Sequence, residues 1–180
     1  MGLHKSKKIF EKKKFAYFQC INSKTIFANP RPKPKVLEEF YSNTKSSNYW
    51  LNQFFLPKLK ARTTKIIKPR VNFFVSNFSK YKNKKILDVG AGLGLFLIEL
   101  KKKWPNSKLF AIEPSKSMAK KCRTKNIKVF ETTIEKIGDR NNKFDAITCF
   151  ELFEHLYDPK FFLKKIYKIL NKNGIFYFTT

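Results

Sequence analysis

Lys85-Ile86-Leu87-Asp88-Val89-Gly90-Ala91-Gly92-Leu93-Gly94-Leu95-Phe96-Leu97 is the stretch on which the reading of this chain turns. Its first five residues form a short apolar run interrupted by one acid, the pattern of a buried strand. From Leu95 to Lys103 the apolar residues recur at helical spacing. Three glycines at alternate positions join the two. A glycine-rich turn between strand and helix lets the backbone approach a ligand closely and aims the first helical N–H groups at it.

Working outward toward the C-terminus, strand-like and helix-like runs alternate. Strands are expected at 85–89, 108–112, 128–130, 144–149 and 175–178, and helices at 95–103, 115–125 and 159–170. That order predicts an α/β domain built on a parallel sheet with right-handed crossovers. Toward the N-terminus the character differs. Residues 1–14 read as a basic, frayed tail, and 15–28 as two short strands around the turn residues Asn22-Ser23, in a hairpin and Pro-rich segment spanning 15–45. Three prolines within 30–34 exclude helix there, and a short helix is expected over 36–41. Residues 46–80 read as a helical lid or extension that Pro57 and Pro69 should break or kink, and the ligand-binding domain covers 81–180.

Composition narrows the classes. With 42% hydrophobic residues, 20 of them Phe, the 180-residue chain can bury a core. No apolar run approaches the ~18 residues of a membrane span, so a cytoplasmic protein without a span is expected. Cys20, Cys122 and Cys149 are too few and too scattered for a disulfide framework or a zinc site. The formal net charge is +26, and it is uneven: residues 1–85 hold 21 basic and 3 acidic residues, whereas 86–180 hold 18 and 10. Such a charge admits a nucleic-acid partner for the N-terminal half. Its scatter along the chain also fits lysine filling solvated positions.

The acids point to the site. All ten acidic residues of the second half fall between 88 and 158, on the side expected to face a ligand. The dinucleotide fingerprint wants its third glycine where Leu95 stands, so NAD and FAD are disfavoured. Asp88, two residues before the first glycine, suits a cationic ligand better than a pyrophosphate. Glu113 ends the next strand, 23 residues after Gly90, where a carboxylate can accept both ribose hydroxyls of an adenosine.

Taken together, 86–94, Ala111-Ile112-Glu113-Pro114, the block from Phe144 to Leu156 followed by Asp158-Pro159, and Leu170-Asn171-Lys172-Asn173-Gly174 resemble four successive motifs of class I S-adenosylmethionine-dependent methyltransferases of the small-molecule (UbiG-like) type. The resemblance implies a Rossmann-like sheet, S-adenosyl-L-methionine as cofactor and a small-molecule acceptor; the sparse cysteines lead us to expect no metal. It implies that Asp88, Gly90, Ala91, Gly92 and Gly94 cradle the methionine moiety and that Glu113 and Pro114 flank the ribose. Thr133 and Ile134 would lie at the adenine, with Thr133 replacing the usual acid. Phe150 and Glu151 would line the pocket at the transferable methyl, and His155 is the best-placed candidate general base. The segment from Cys20 through Asn29-Pro30-Arg31-Pro32 is similar to a zinc knuckle in one subgroup, but Ser23 replaces its second cysteine, so a metal-free hairpin is expected. The family pattern continues with a helix and two more strands, so the chain is expected to be truncated after strand 5. Two alternatives stay open: an RNA or DNA methyltransferase using the basic N-terminal half, and a non-catalytic adaptor. Phe150-Glu151-Leu152-Phe153 lacks the Pro-Pro-aromatic stretch common in enzymes that methylate base amino groups.

Overall fold

Eight strands fall into two separate sheets in a computed structural model that describes residues 5–13, 15–42, 48–123, 125–138 and 143–180. The chain divides into two compact units, Met1–Glu38 and Glu39–Thr180. The expected segments 46–80 and 81–180 both lie in the second.

In the first unit β1 (Ser6–Lys12), β2 (Phe15–Cys20) and β3 (Ile26–Ala28) form an antiparallel sheet. β2 and β3 are the two expected strands. β1 is a correction: Ser6–Lys12 is a strand, not a frayed tail, while residues 1–4 lie outside the described residues. All seven residues of β1 are exposed, so burial does not hold them. The backbone ladder to β2 does, reinforced by the cross-strand pair Phe10–Tyr17 stacked at 4.6 Å. α1 (Pro34–Ser42) follows, with Pro34 opening it.

The second unit carries the parallel sheet of β4 (Lys85–Val89), β5 (Lys108–Ile112), β6 (Lys128–Phe130), β7 (Phe144–Phe150) and β8 (Leu170–Thr179), in the order β6-β5-β4-β7-β8. Its longer helices are α2 (Lys68–Asn77), α3 (Leu95–Lys103), α4 (Lys116–Arg123) and α5 (Pro159–Ile169). Side chains alternate across β4. Ile86 packs on one face with Val71 and Phe74 of α2, Phe96, Leu97 and Leu100 of α3, and Cys122 of α4. Leu87 and Val89 pack on the other with Phe162, Ile166 and Ile169 of α5. Asp88 therefore belongs to the α2/α3 face. α5 starts where expected because Pro159 fits the first turn and the Asp158 carboxylate accepts from Phe161 N at 2.9 Å.

Two local expectations are revised. Pro57 does interrupt the helical extension, but Pro69 does not. Leu59–Arg62 is helical, Thr63–Ile67 forms a π turn in which Lys68 N donates to Thr63 O, and α2 follows with Pro69 in its first turn. The widened turn accommodates a residue that has no N–H to give. The turn expected at 170–174 survives as a bulge inside β8: Phe144 pairs with Leu170 but Ala146 with Ile175, and Asn173 sits at φ 63.

Phe74 joins the extension to the sheet. It is fully buried and meets Phe96, Trp104 and Tyr177 at 5.6, 5.6 and 6.0 Å. Phe74→Ala is expected to cost about 3–5 kcal/mol in urea unfolding. Its neighbour Phe73, 51% exposed, should cost about 1 kcal/mol or less when truncated. Equal losses would contradict this assignment of the core.

Candidate functional site

The turn after β4 reverses the chain through three glycines in the left-handed region, Gly90 at φ 73, Gly92 at φ 56 and Gly94 at φ 70. The two outer ones are also fixed by packing. A Cβ on Gly94 would stand 2.3 Å from Cys122 Sγ, and one on Gly90 would stand 2.8 Å from Leu152 Cδ2. Gly92 differs, because a Cβ there would meet nothing within 4 Å. Its backbone faces open space, the side from which a ligand can approach.

Glu113 clamps this turn. It leaves the end of β5 with 6% exposure. Its Oε2 accepts from Gly92 N at 2.7 Å and its Oε1 from Ser115 N at 2.9 Å. Gly90 N and Ala91 N both donate to Ile112 O, at 2.9 and 3.1 Å, so the whole turn is tied to the end of β5. Each carboxylate oxygen has accepted one hydrogen bond and retains a second acceptor direction. Burial pushes the Glu113 carboxyl upward, and the two backbone donors oppose that push. Pro114 lies between Glu113 and Ser115, in the same turn.

Asp88 is 3% exposed and paired in register with Thr148, whose hydroxyl donates to its Oδ1 at 2.7 Å. Burial raises its carboxyl to about 7, with the Thr148 hydrogen bond and the Arg70 charge only partly offsetting the rise and the Glu113 charge adding to it. At neutral pH such a group is poised to ionise when a cation arrives beside it.

At the end of β7 the Phe150 ring lies 4.8 Å from Phe96 and 5.6 Å from Tyr177, under the Arg70 guanidinium at 4.3 Å. Glu151 follows in the left-handed region at φ 53. Its Oε1 accepts from Arg70 Nη2 at 2.9 Å and from the Thr179 hydroxyl at 2.9 Å. The Thr179 hydrogen bond first, then the Arg70 hydrogen bond and the charges of Arg70 and Arg62, hold the Glu151 carboxyl below its usual range against the opposing push of burial.

The sequence-derived residues thus group unevenly. Asp88, Gly90, Ala91, Gly92, Gly94, Glu113 and Pro114 come together at the carboxyl ends of β4 and β5, with Phe150 ending the neighbouring β7 and Glu151 directly after it. Thr133 and Ile134 follow β6, but the Ile134 side chain is buried among Leu87, Ile112 and Phe144, so only backbone at that position can face a ligand. His155 is exposed and ends the short helical turn Phe153–His155, its N–H donating to Leu152 O. Sequence reasoning missed Arg70, whose side chain is 14% exposed and which reaches Glu151 across 81 residues. One signal was available: among 39 basic residues this chain has few arginines, and a planar fork in a lysine-rich chain suits bidentate or stacked contacts.

A family model described as "Methyltransferase domain" matches residues 59–180. The chain belongs to the methyltransferase-domain family. Its sheet order and helix placement are those of the class I, Rossmann-like S-adenosylmethionine-dependent methyltransferases. Among curated relatives it is 38% identical over 110 residues to a ubiquinone biosynthesis O-methyltransferase of Pelagibacter ubique, covering 55% of this chain and 42% of that one. It is 27% identical over 139 residues to the putative methyltransferase YrhH of Bacillus subtilis, covering 74% and 73%. It spans 42% to 55% of the length of the ubiquinone-pathway relatives from Pelagibacter ubique, Idiomarina loihiensis and Coxiella burnetii. Among solved structures, the plantazolicin methyltransferase BpumL in complex with SAH superposes with TM-score 0.59 at 22% identity, over 79% of this chain and 56% of that one. A putative S-adenosyl-L-methionine-dependent methyltransferase of Methanococcus maripaludis gives 0.58 at 19% identity, over 68% and 60%. Among the described residues no helix is long and apolar enough to cross a membrane.

Asp88 generates a pH prediction. Its carboxyl sits at about 7 in the fold against an ordinary 3.8. The folded chain therefore binds this proton more strongly than the unfolded one, and stability falls as pH rises from 3.8 toward 7. Asp88→Asn should raise the melting temperature of the ligand-free chain at pH 8 and change it little at pH 4. An equal offset at both values would contradict the burial of an ionisable Asp88.

Proposed function

We propose that this chain binds S-adenosylmethionine at the carboxyl ends of β4, β5 and β7 and transfers its methyl group to a small-molecule acceptor. The observation that carries the reading is the pairing of an open Gly92 backbone with a buried carboxylate that still has acceptor capacity, 2.7 Å apart. Family membership and relatives named as methyltransferases support it. The three free, buried cysteines suit the reducing conditions of the cytoplasm.

The donor set fits this group in chemistry as well as in place. Asp88, held near its midpoint by burial, ionises in favour of the ligand ammonium and stays oriented by Thr148. Arg70 keeps N–H directions beyond those given to Glu151 and Thr179 and receives the methionine carboxylate. Glu113 accepts the ribose hydroxyls on its remaining lone pairs. Gly90, Ala91, Gly92 and Gly94 admit the ligand against bare backbone, Pro114 stiffens the turn behind Glu113, and the backbone of Thr133 and Ile134 borders the adenine.

S-adenosylmethionine, when bound, supplies a methyl group already activated on a sulfonium. The protein's task is then chiefly to align an acceptor with it and to keep water away. Phe150, wedged between Phe96, Tyr177 and Arg70, forms a rigid wall at that end. Glu151 stands at the same edge to orient an acceptor hydroxyl or amine, and His155, on the exposed turn that follows, is the candidate proton acceptor.

Calorimetric titration with S-adenosylhomocysteine tests the assignment. The wild-type chain should bind in the micromolar range, and Asp88→Ala and Glu113→Ala should each weaken binding by roughly 10–100-fold, the worth of a charge-assisted hydrogen bond. Gly92→Ala should remain folded, at a cost of about 1–2 kcal/mol for its left-handed backbone, and lose binding because its methyl fills the ligand's space. A folded wild-type chain that gives no binding heat, or variants that bind as it does, would overturn the reading.

A further inference from the structure

Arg62 enters the site described so far only through its charge on Glu151, and its setting is unusual. It is half-buried, at the end of the helical run Leu59–Arg62. Its guanidinium lies over the Phe55 ring at 5.2 Å. Phe55 is itself braced by Trp50 and Phe54, at 6.5 and 5.9 Å. Arg70 and Arg123 each hold a carboxylate, at 2.9 and 2.8 Å. Arg62 has a ring but no hydrogen-bond acceptor among the described residues. A stacked guanidinium keeps its edge N–H groups available and has already given up much of its rotamer freedom.

The backbone aims it. Arg62 and Arg70 are eight residues apart, which in a regular α-helix leaves them roughly 80° out of line. The intervening π turn, Thr63–Ile67, rotates less per residue and brings the two closer to one side. Eight residues of regular α-helix would span about 12 Å along the axis. Arg70 is fixed at Glu151 and Phe150, and the charge of Arg62 also reaches Glu151. Arg62 therefore stands close enough to the Phe150–Glu151 end for its charge to act there, while its guanidinium edge is not committed to Glu151.

We propose that Arg62 anchors an anionic group on the acceptor, a carboxylate or a phosphate, so that the small molecules methylated here are negatively charged. The proposal rests on the reading of the preceding subsection and names the substrate class of that same site. The chain's +26 charge favours it as well, by raising the local concentration of anions. An anion held by Arg62 would leave Glu151, already held by Arg70 and Thr179, to orient the other end of the molecule.

The test uses wild-type chain saturated with S-adenosylhomocysteine and two matched pairs of probes, 3,4-dihydroxybenzoate against catechol and phenyl phosphate against phenol. Calorimetry or ligand-observed NMR should find at least one anionic probe bound about 10-fold more tightly than its neutral partner, the effect of one charge-assisted contact. The pair that shows the preference tells carboxylate from phosphate. Arg62→Gln should erase the preference without changing affinity for the neutral probes or for S-adenosylhomocysteine, and Arg62→Lys should restore part of it. Equal binding within both pairs, no binding of any probe to the loaded chain, or a preference that persists in Arg62→Gln would overturn the proposal while leaving the cofactor assignment intact. Failure of the wild-type chain to bind S-adenosylhomocysteine would instead overturn the cofactor assignment and this proposal with it.

Discussion

The reversal from β4 into α3, held by hydrogen bonds to Glu113 and Ile112, is the constraint on which the rest of the ligand edge depends. Three left-handed glycines in five residues are costly to order, since glycine loses more backbone freedom on folding than any other residue. The compensation is local and specific. Ile112 O takes two N–H groups from the turn and Glu113 takes a third. Closing the turn fixes where α3 begins. That places Phe96 against Phe150, and Phe150 is the surface on which Arg70 rests. A bond between neighbouring strands thus reaches, through two rings, to an arginine on a helix near the start of the unit.

A strongly basic chain has gathered its buried acids at one edge of one sheet. Asp88 and Glu113 are both nearly inaccessible, and burial raises both carboxyls. In a chain of this net charge, exposed acids would be the simpler arrangement for stability. Buried acids whose charged form is disfavoured by burial make sense where a ligand completes them, and sites of this kind commonly cost a fold part of its stability. Cys122 and Cys149 fit the same picture from the other side: burial, with the nearby acid charges, pushes their thiols up, to about 12 for Cys122, so they behave as small apolar packing residues.

Much of this was legible in the sequence, for identifiable reasons. β4, α3, β5 and β6 fall where periodicity and the glycines put them, because each is a local pattern bounded by turn residues. Asp88, Glu113, Phe150 and Glu151 could be singled out because each lies in or next to the last residues of a strand, a position the pattern defines. Arg70 was not, because its meaning comes from residues 80 and 81 positions away with which it shares no local pattern. Pro69 was misread because a π turn leaves no signature in local hydrophobic periodicity, and Pro69 falls in the first turn of the helix that follows it. β1 was misread because a lysine-rich exposed strand has no burial signature, and only its ladder to β2 defines it. Ile134 sits at the expected place, but its side chain answers to the core.

The central claim is that one turn and one carboxylate form the cofactor site, and the most direct measurement is a map of backbone amide shifts during titration with S-adenosylhomocysteine. The account predicts that the largest changes fall on Gly90, Ala91, Gly92, Glu113 and Ser115, with the Arg70 side chain responding in step and the β1–β3 sheet unmoved. Saturable changes centred elsewhere, with Gly92 and Glu113 unperturbed, would contradict it.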